Sequence, residues 1–242
     1  MENQLDKKVK KVLKLDYEQD DGVWLRSGKS LRRLIGILGM SLPVILLLIT
    51  LSSFELNRPL ESISHYYYTR AGSVFTVILS LIAIFLLVYS GKKSVDFYIS
   101  TFAGVFALFV VFFPTGNLSA ECCVEGMEYS VTYFDGNSFR EVFHLVAAAL
   151  FLLLLAYMSF FIFTKSNKPP GERGSAKVKR NRIYRVCGVL IVVSLLVMLA
   201  GFKGLIHKDI YFGNNLTFWM ETVAVESFGF AWLIKGDTFF TD

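Results

Sequence analysis

The sequence predicts an all-α membrane protein: a polytopic bundle of six transmembrane helices, with both ends of the chain on the cytoplasmic side. Three observations carry this expectation. Of the 242 residues, 54% are hydrophobic. They gather into apolar runs of about 17 to 23 residues, the length that crosses roughly 30 Å of hydrocarbon as helix. Lipid offers the backbone no hydrogen-bond partner, so such runs must be helical. The third observation is the placement of the basic residues. With the N-terminus inside, the inner segments 1–33, 90–96, 165–185 and the tail from Lys235 hold 20 of the 25 lysines and arginines. The outer segments hold only Arg58, Arg70, Arg140, Lys203 and Lys208. Cytoplasmic loops carry such an excess.

The domain organisation follows from this pattern. Residues 1–33 form a cytoplasmic segment, and residues 34–242 the six-helix domain. In "MENQLDKKVKKVLKLDYEQD", Leu5, Val9, Val12 and Leu13 share one helical face, ringed by Lys7, Lys8, Lys10, Lys11 and Lys14. That suits a helix lying on anionic inner-leaflet lipids, with a solvated tail as the alternative. Trp24 would anchor the approach to the first span.

The first span, about 34–54, reads as a retained anchor. The polar region before it is over thirty residues long, its apolar part is too long for a signal peptide, and no small-x-small cleavage site follows. Pro43 removes a backbone donor inside it and should kink it. The stretch "ESISHYYYTR", Glu61 to Arg70, then lies outside. Tyr66, Tyr67 and Tyr68 there suit the membrane–water boundary, where the ring meets lipid and the hydroxyl meets water.

Spans at about 72–89 and 97–115 follow, then the outer loop 116–140. That loop is acidic, with Glu121, Glu125, Glu128 and Asp135. Its "EYSVTYFDGNSF" alternates and contains Asp135-Gly136, a hairpin signal. Cys122 and Cys123 face an oxidising compartment in this topology. They are compatible with a strained vicinal bridge, a link between chains, or two free thiols. Asn117 begins a glycosylation-type triplet.

The fourth span covers about 142–164. The linker 165–185, "KSNKPPGERGSAKVKRNR" in its main part, has prolines, glycines and charges without an apolar pattern. It separates four spans from the last two, about 186–202 and 216–234. No internal repeat is present, so the inverted-repeat signature of many transporters is missing.

The candidate chemistry lies toward the outer side. "LTFWMETVAVESFGFAWLIKG" places Glu226 near the middle of the sixth span and Glu221 nearer its outer end. A carboxylate at mid-membrane costs roughly 2.5 kcal/mol or more, so such a residue marks a site, a paired group or a protonated one. Five residues turn a helix by about 140°, so the two glutamates do not form a tight pair. His65 and His144 map to the outer side as well, and Glu141-x-x-His144 puts two potential ligands on one helical face. Bundle metal sites use that spacing, but with a second copy or further carboxylates. His65, Glu141 and His144 therefore form a weak zinc candidate. No Walker loop, nucleophile elbow, His-Glu-x-x-His or paired Cys-x-x-Cys motif is present.

"SISHYYYT", "FFPT", "FTK", "RNRIYRVCG" and "FWMETVAVESFGFAWLIKGD" resemble a family of uncharacterised bacterial six-helix membrane proteins that carries a domain of unknown function. The likeness covers most of the chain after the first thirty residues. It implies the six-span fold and brings no activity. A more distant likeness is to the superfamily of alkaline ceramidases and adiponectin-type receptors, seven-helix zinc hydrolases with a His-x-x-x-His pair in the last helix. The sixth span here has no histidine and no seventh span follows, which removes most of the case for lipid-amide hydrolysis.

The net charge of +5 is distributed around membrane spans. It points to inner-leaflet lipids, reached by the N-terminal lysines and the 165–185 linker, and away from nucleic acid. The expected function is an integral protein of the bacterial inner membrane that binds rather than catalyses. Its outward polar pocket would be lined by Ser64, His65, Tyr67, Arg70, His144, Glu221 and Glu226, for a lipid headgroup, small solute or ion. The alternatives are a metal-dependent hydrolase at the outer leaflet and a structural or assembly protein. A homo-oligomer is compatible with every one of these.

Overall fold

The protein is described by a computed structural model covering residues 28–53, 58–89, 94–116, 131–132, 134, 136–166 and 168–239. The N-terminal lysine segment, Trp24, Asn117, the Cys122–Cys123 pair and Asp135 lie outside the described residues. So does most of the expected hairpin.

Among the described residues the fold is helical throughout, with seven α-helices rather than six. They are α1 (Gly28–Ser53), α2 (Gly72–Val88), α3 (Ser94–Phe112), α4 (Ser138–Tyr157), α5 (Ser175–Phe202), α6 (Lys208–Tyr211) and α7 (Leu216–Lys235). The short α6 is the additional one. Four segments are long and apolar enough to cross a membrane: 28–52, 94–112, 138–162 and 175–202. The apolar α2 has 17 residues. The 20-residue α7 interrupts its apolar run with Glu221 and Glu226 and is not one of the four.

The six long helices pack as a ring. Each of α1 to α5 lies beside its neighbour in sequence, and α7 closes the circle between α5 and α1. The contact of α7 with α1 is the most extensive, and a seam of glycines makes it so. Side chains at Gly36 and Gly229 would each run into the opposite backbone: a Cβ on Gly36 would stand 2.7 Å from the Gly229 carbonyl oxygen, and one on Gly229 2.8 Å from that of Gly36. Small residues bring membrane helices close enough for dispersion to hold them.

Two helices depart from the sequence expectation at their ends. α5 begins at Ser175, eleven residues before its apolar run, so the basic "KVKRNRIYR" stretch of the linker is helical. Lysine and arginine are good helix formers, and their long stems let the charges leave the apolar layer. At the end of α4, residues Met158–Ile162 widen into a π-helical turn, closed by a 2.9 Å bond from the Phe163 amide to the Met158 carbonyl. This turn seats Phe163 edge-on against Trp232 (5.2 Å) and Tyr184 (5.5 Å). Tyr89 packs on the same tryptophan at 5.0 Å.

Polar groups tie the same end of the bundle. Lys165 bonds the buried carboxylate of Asp96 on α3. Arg33 Nε donates to the Gly236 carbonyl (2.8 Å) and its Nη2 to that of Asp237 (3.1 Å), capping the exposed carbonyls that end α7. Lys29 pairs with Asp237 at 2.9 Å. Burial alone would raise the Asp237 carboxyl, but the Lys29 bond, with Arg180 and Arg32 nearby, holds it below the usual carboxylate range.

Candidate functional site

The opposite end of the bundle is organised by the segment 59–71. Its sequence is too polar to continue a membrane helix, and it folds as a 3-10 turn, Ser64–Tyr68, laid across the helix ends. Two of the three tyrosines point into the protein. Tyr66 and Tyr68 are 0% and 1% exposed. A buried phenol needs a hydrogen-bond partner, and each has one. The Tyr66 hydroxyl meets the Thr50 hydroxyl on α1. The Tyr68 hydroxyl donates to the Thr115 carbonyl at 2.5 Å, and burial pushes it up to about 12. Tyr67 alone is half-buried, its ring edge-on to Tyr68 at 5.4 Å.

Two further bonds fasten this segment to the start of α7. The Asn215 amide donates to the Pro59 carbonyl (2.7 Å), and the Phe218 amide donates to the Glu61 carbonyl (3.0 Å). The result is a fixed roof over a cavity of about 710 Å³ enclosed by the 59–71 segment, α4, α5 and the α6–α7 corner. That volume falls in the range of small-molecule sites.

The cavity has two kinds of wall. Glu61, Ser62, Ser64, His65, Glu141, His144, Tyr211, Thr217 and Glu221 form a polar end. Val142, Leu145, Val146 and Leu152 of α4 and Leu195, Met198, Leu199 and Phe202 of α5 form an apolar one. Among the described residues Lys203 is the one cationic side chain lining it.

Within the polar end Glu221, His144 and His65 are each oriented by a neighbour. Glu221 Oε2 accepts a 2.6 Å bond from the Ile63 amide, which joins roof to helix. His144 is buried, and its Nδ1 lies 2.8 Å from the Phe113 carbonyl. A carbonyl can only accept, so Nδ1 carries a proton. His65 Nδ1 lies 2.9 Å from the Ser62 hydroxyl. Burial, and then the neighbouring His144, lowers the His65 imidazole to about 4. It is therefore neutral at physiological pH.

That shift predicts an acid sensitivity. The unfolded chain takes up this proton near pH 6.5, the folded chain only near 4. Between those values the unfolded state binds more protons, so stability is complete above 6.5 and falls as pH falls. The loss reaches at most roughly 3 kcal/mol. His65→Gln is expected to flatten the profile by that amount. Thermal midpoints in detergent from pH 7 to 4 check this, and parallel curves for the two proteins would refute it.

Of the residues singled out from sequence, Ser64, His65, His144 and Glu221 line this cavity, together with Glu141. Tyr67, Arg70 and Glu226 do not. Arg70 is exposed, and Glu221 has the Ile63 amide as its partner instead. Glu226 lies one and a half turns further along α7. Among the described residues no group of three His, Cys, Asp or Glu side chains is placed to hold a metal ion, and these include His65, Glu141 and His144. The apolar walls were not foreseen, although their spacing was available: 142, 145, 149 and 152 on α4, and 195, 198, 199 and 202 on α5, each repeat at helical intervals.

No protein-family model, curated protein or solved structure matches this chain.

Proposed function

We propose that this chain is a six-span protein of the bacterial inner membrane, with both termini cytoplasmic, whose cavity faces outward and binds a small polar or amphipathic ligand. The cavity carries the reading: about 710 Å³, lined by glutamate and histidine side chains together with a broad apolar wall. Such a mixture of broad apolar lining and a few convergent polar groups is the usual make-up of a ligand site. The basic excess at the Lys165 end supports the orientation. The same excess supports contact with anionic inner-leaflet lipids. α2 and α7 complete six crossings because both pack within the ring formed with four longer apolar helices.

Ala148→Trp tests the reading, because Ala148 lines the cavity and an indole there takes up much of its volume. A fluorescent single-chain amphiphile is expected to bind the wild type at least tenfold more tightly than the variant, with near-identical circular dichroism. Equal affinities in two folded proteins would place binding elsewhere.

A further inference from the structure

Among the described residues, several that line the apolar half of the cavity are widely exposed. Val142, Leu145 and Val146 on α4 are 58%, 46% and 51% exposed, and Leu199 and Phe202 on α5 are 53% and 52% exposed, although all five line the cavity. α4 and α5 are also packed together less extensively than α3 with α4 or α5 with α7. These exposed apolar side chains border the gap between the two helices, which makes that gap the apolar opening, or slot, of the cavity. A site for a water-borne solute would bring its polar end to the mouth and close its apolar sides. This one is open along its apolar side, where the bilayer would lie.

The length of the slot matches one leaflet. The apolar lining residues of α4 run from 142 to 152, about 15 Å at the helical rise. That is half of a hydrocarbon core roughly 30 Å thick. The charge at the head of the slot is also one-sided. Among the described lining residues Glu61, Glu141 and Glu221 accompany one cationic side chain, Lys203, and His65 is neutral at physiological pH. Acidic side chains that outnumber the cations complement a protonated amine, whose charge would itself favour their ionised form, and the lysine complements a phosphate beside it.

We propose that the cavity receives a lipid of the adjoining leaflet, entering sideways between α4 and α5, whose headgroup carries a protonated amine held by Glu141 and Glu221. The assignment rests on the ligand-binding reading above and adds to it the source of the ligand, its route and its headgroup. An acyl chain occupies the slot, and the roof segment fixes how deep the headgroup sits, because Glu221 is bonded to it through Ile63.

The test uses the full chain in detergent micelles with three probes: phosphatidylethanolamine, phosphatidylglycerol with the same chains, and water-soluble phosphoethanolamine. Native mass spectrometry and thermal shift read binding. Phosphatidylethanolamine is expected to bind at least tenfold more tightly than either other probe. Glu141→Gln with Glu221→Gln should reduce its preference over phosphatidylglycerol to about twofold or less. If the double variant does not fold, Glu141→Gln alone should lower it severalfold. Leu199→Trp, which narrows the slot, should weaken both lipids together. Equal binding of the two lipids overturns the headgroup assignment. Phosphoethanolamine binding as tightly as its lipid overturns the lateral route. Both of those results leave the cavity reading standing. That reading falls only if Ala148→Trp leaves every bound probe unaffected.

Discussion

Gly229→Ala is expected to destabilise the protein by roughly 3 kcal/mol, a large share of the 5–15 kcal/mol that holds a typical fold together. In an unencumbered helix the same change would stabilise, because alanine is favoured over glycine by about 1 kcal/mol. The sign reverses here because the new methyl would stand 2.6 Å from Met40 Cγ, 2.8 Å from the Gly36 carbonyl oxygen and 2.9 Å from the Met40 nitrogen. Two of those three atoms are backbone and cannot swing aside. Gly36→Ala meets the same obstacle from the other helix, 2.7 Å from the Gly229 carbonyl oxygen. Gly39→Ala is a graded control, since its nearest neighbours stand at 3.2 Å and 3.3 Å. Gly171→Ala is a neutral one, with nothing within 4 Å. Thermal midpoints of the four variants should rank with these distances. A Gly229→Ala protein as stable as wild type would mean that α1 and α7 do not cross so closely.

Lys165→Ala is expected to cost roughly 3 kcal/mol, and Asp96→Asn less than about 1 kcal/mol. The pair is asymmetric. The Asp96 side chain is 3% exposed and Lys165 is 37% exposed. Removing the lysine leaves a carboxylate buried in the first turn of α3 with its charge uncompensated. Removing the aspartate's charge leaves an ammonium on a long stem that can turn to water. Chemical or thermal denaturation of both single variants and the double checks this. The double variant should recover most of what Lys165→Ala loses. Equal losses in the two single variants would show that exposure does not govern the pair.

The parts of the fold written in hydropathy were legible. α1, α3, α4 and α5 announce themselves by apolar length, and the structure keeps them. α7 was harder to weigh. Its apolar run marks a helix, but nothing in one helix's composition says that two glycines will let it pack deepest against a helix almost two hundred residues away. The tyrosines misled for a related reason. A phenol at a boundary and a phenol buried on a threonine hydroxyl look the same in sequence, and only the partner distinguishes Tyr66 from Tyr67.

The site divides along similar lines. Ser64, His65, His144 and Glu221 come together because polar residues near the ends of neighbouring helices have few places to go. Glu226 stays apart, and the 3.6-residue period already separated it from Glu221 by about 140°. Its mid-span position drew attention that helical phase should have divided. The apolar slot was hidden because the residues that form it read as ordinary lipid-facing positions. Whether two such faces meet or part is a property of the packing between α4 and α5, not of either strip alone.

The π-helical turn at Met158–Ile162 makes the chain's length adjustable at one point. A π turn holds one residue more than the α turn it replaces. The extra residue is absorbed inside that one turn, so the residues after it keep the phase that a regular helix one residue shorter would give them. Phe163 against Trp232 and Lys165 on Asp96 are the contacts that this phase serves. Deleting one residue within Met158–Ile162 should therefore leave both contacts in place, whereas the same deletion in the regular part of α4 would turn everything after it by about 100° and uncouple the Lys165 end of the bundle.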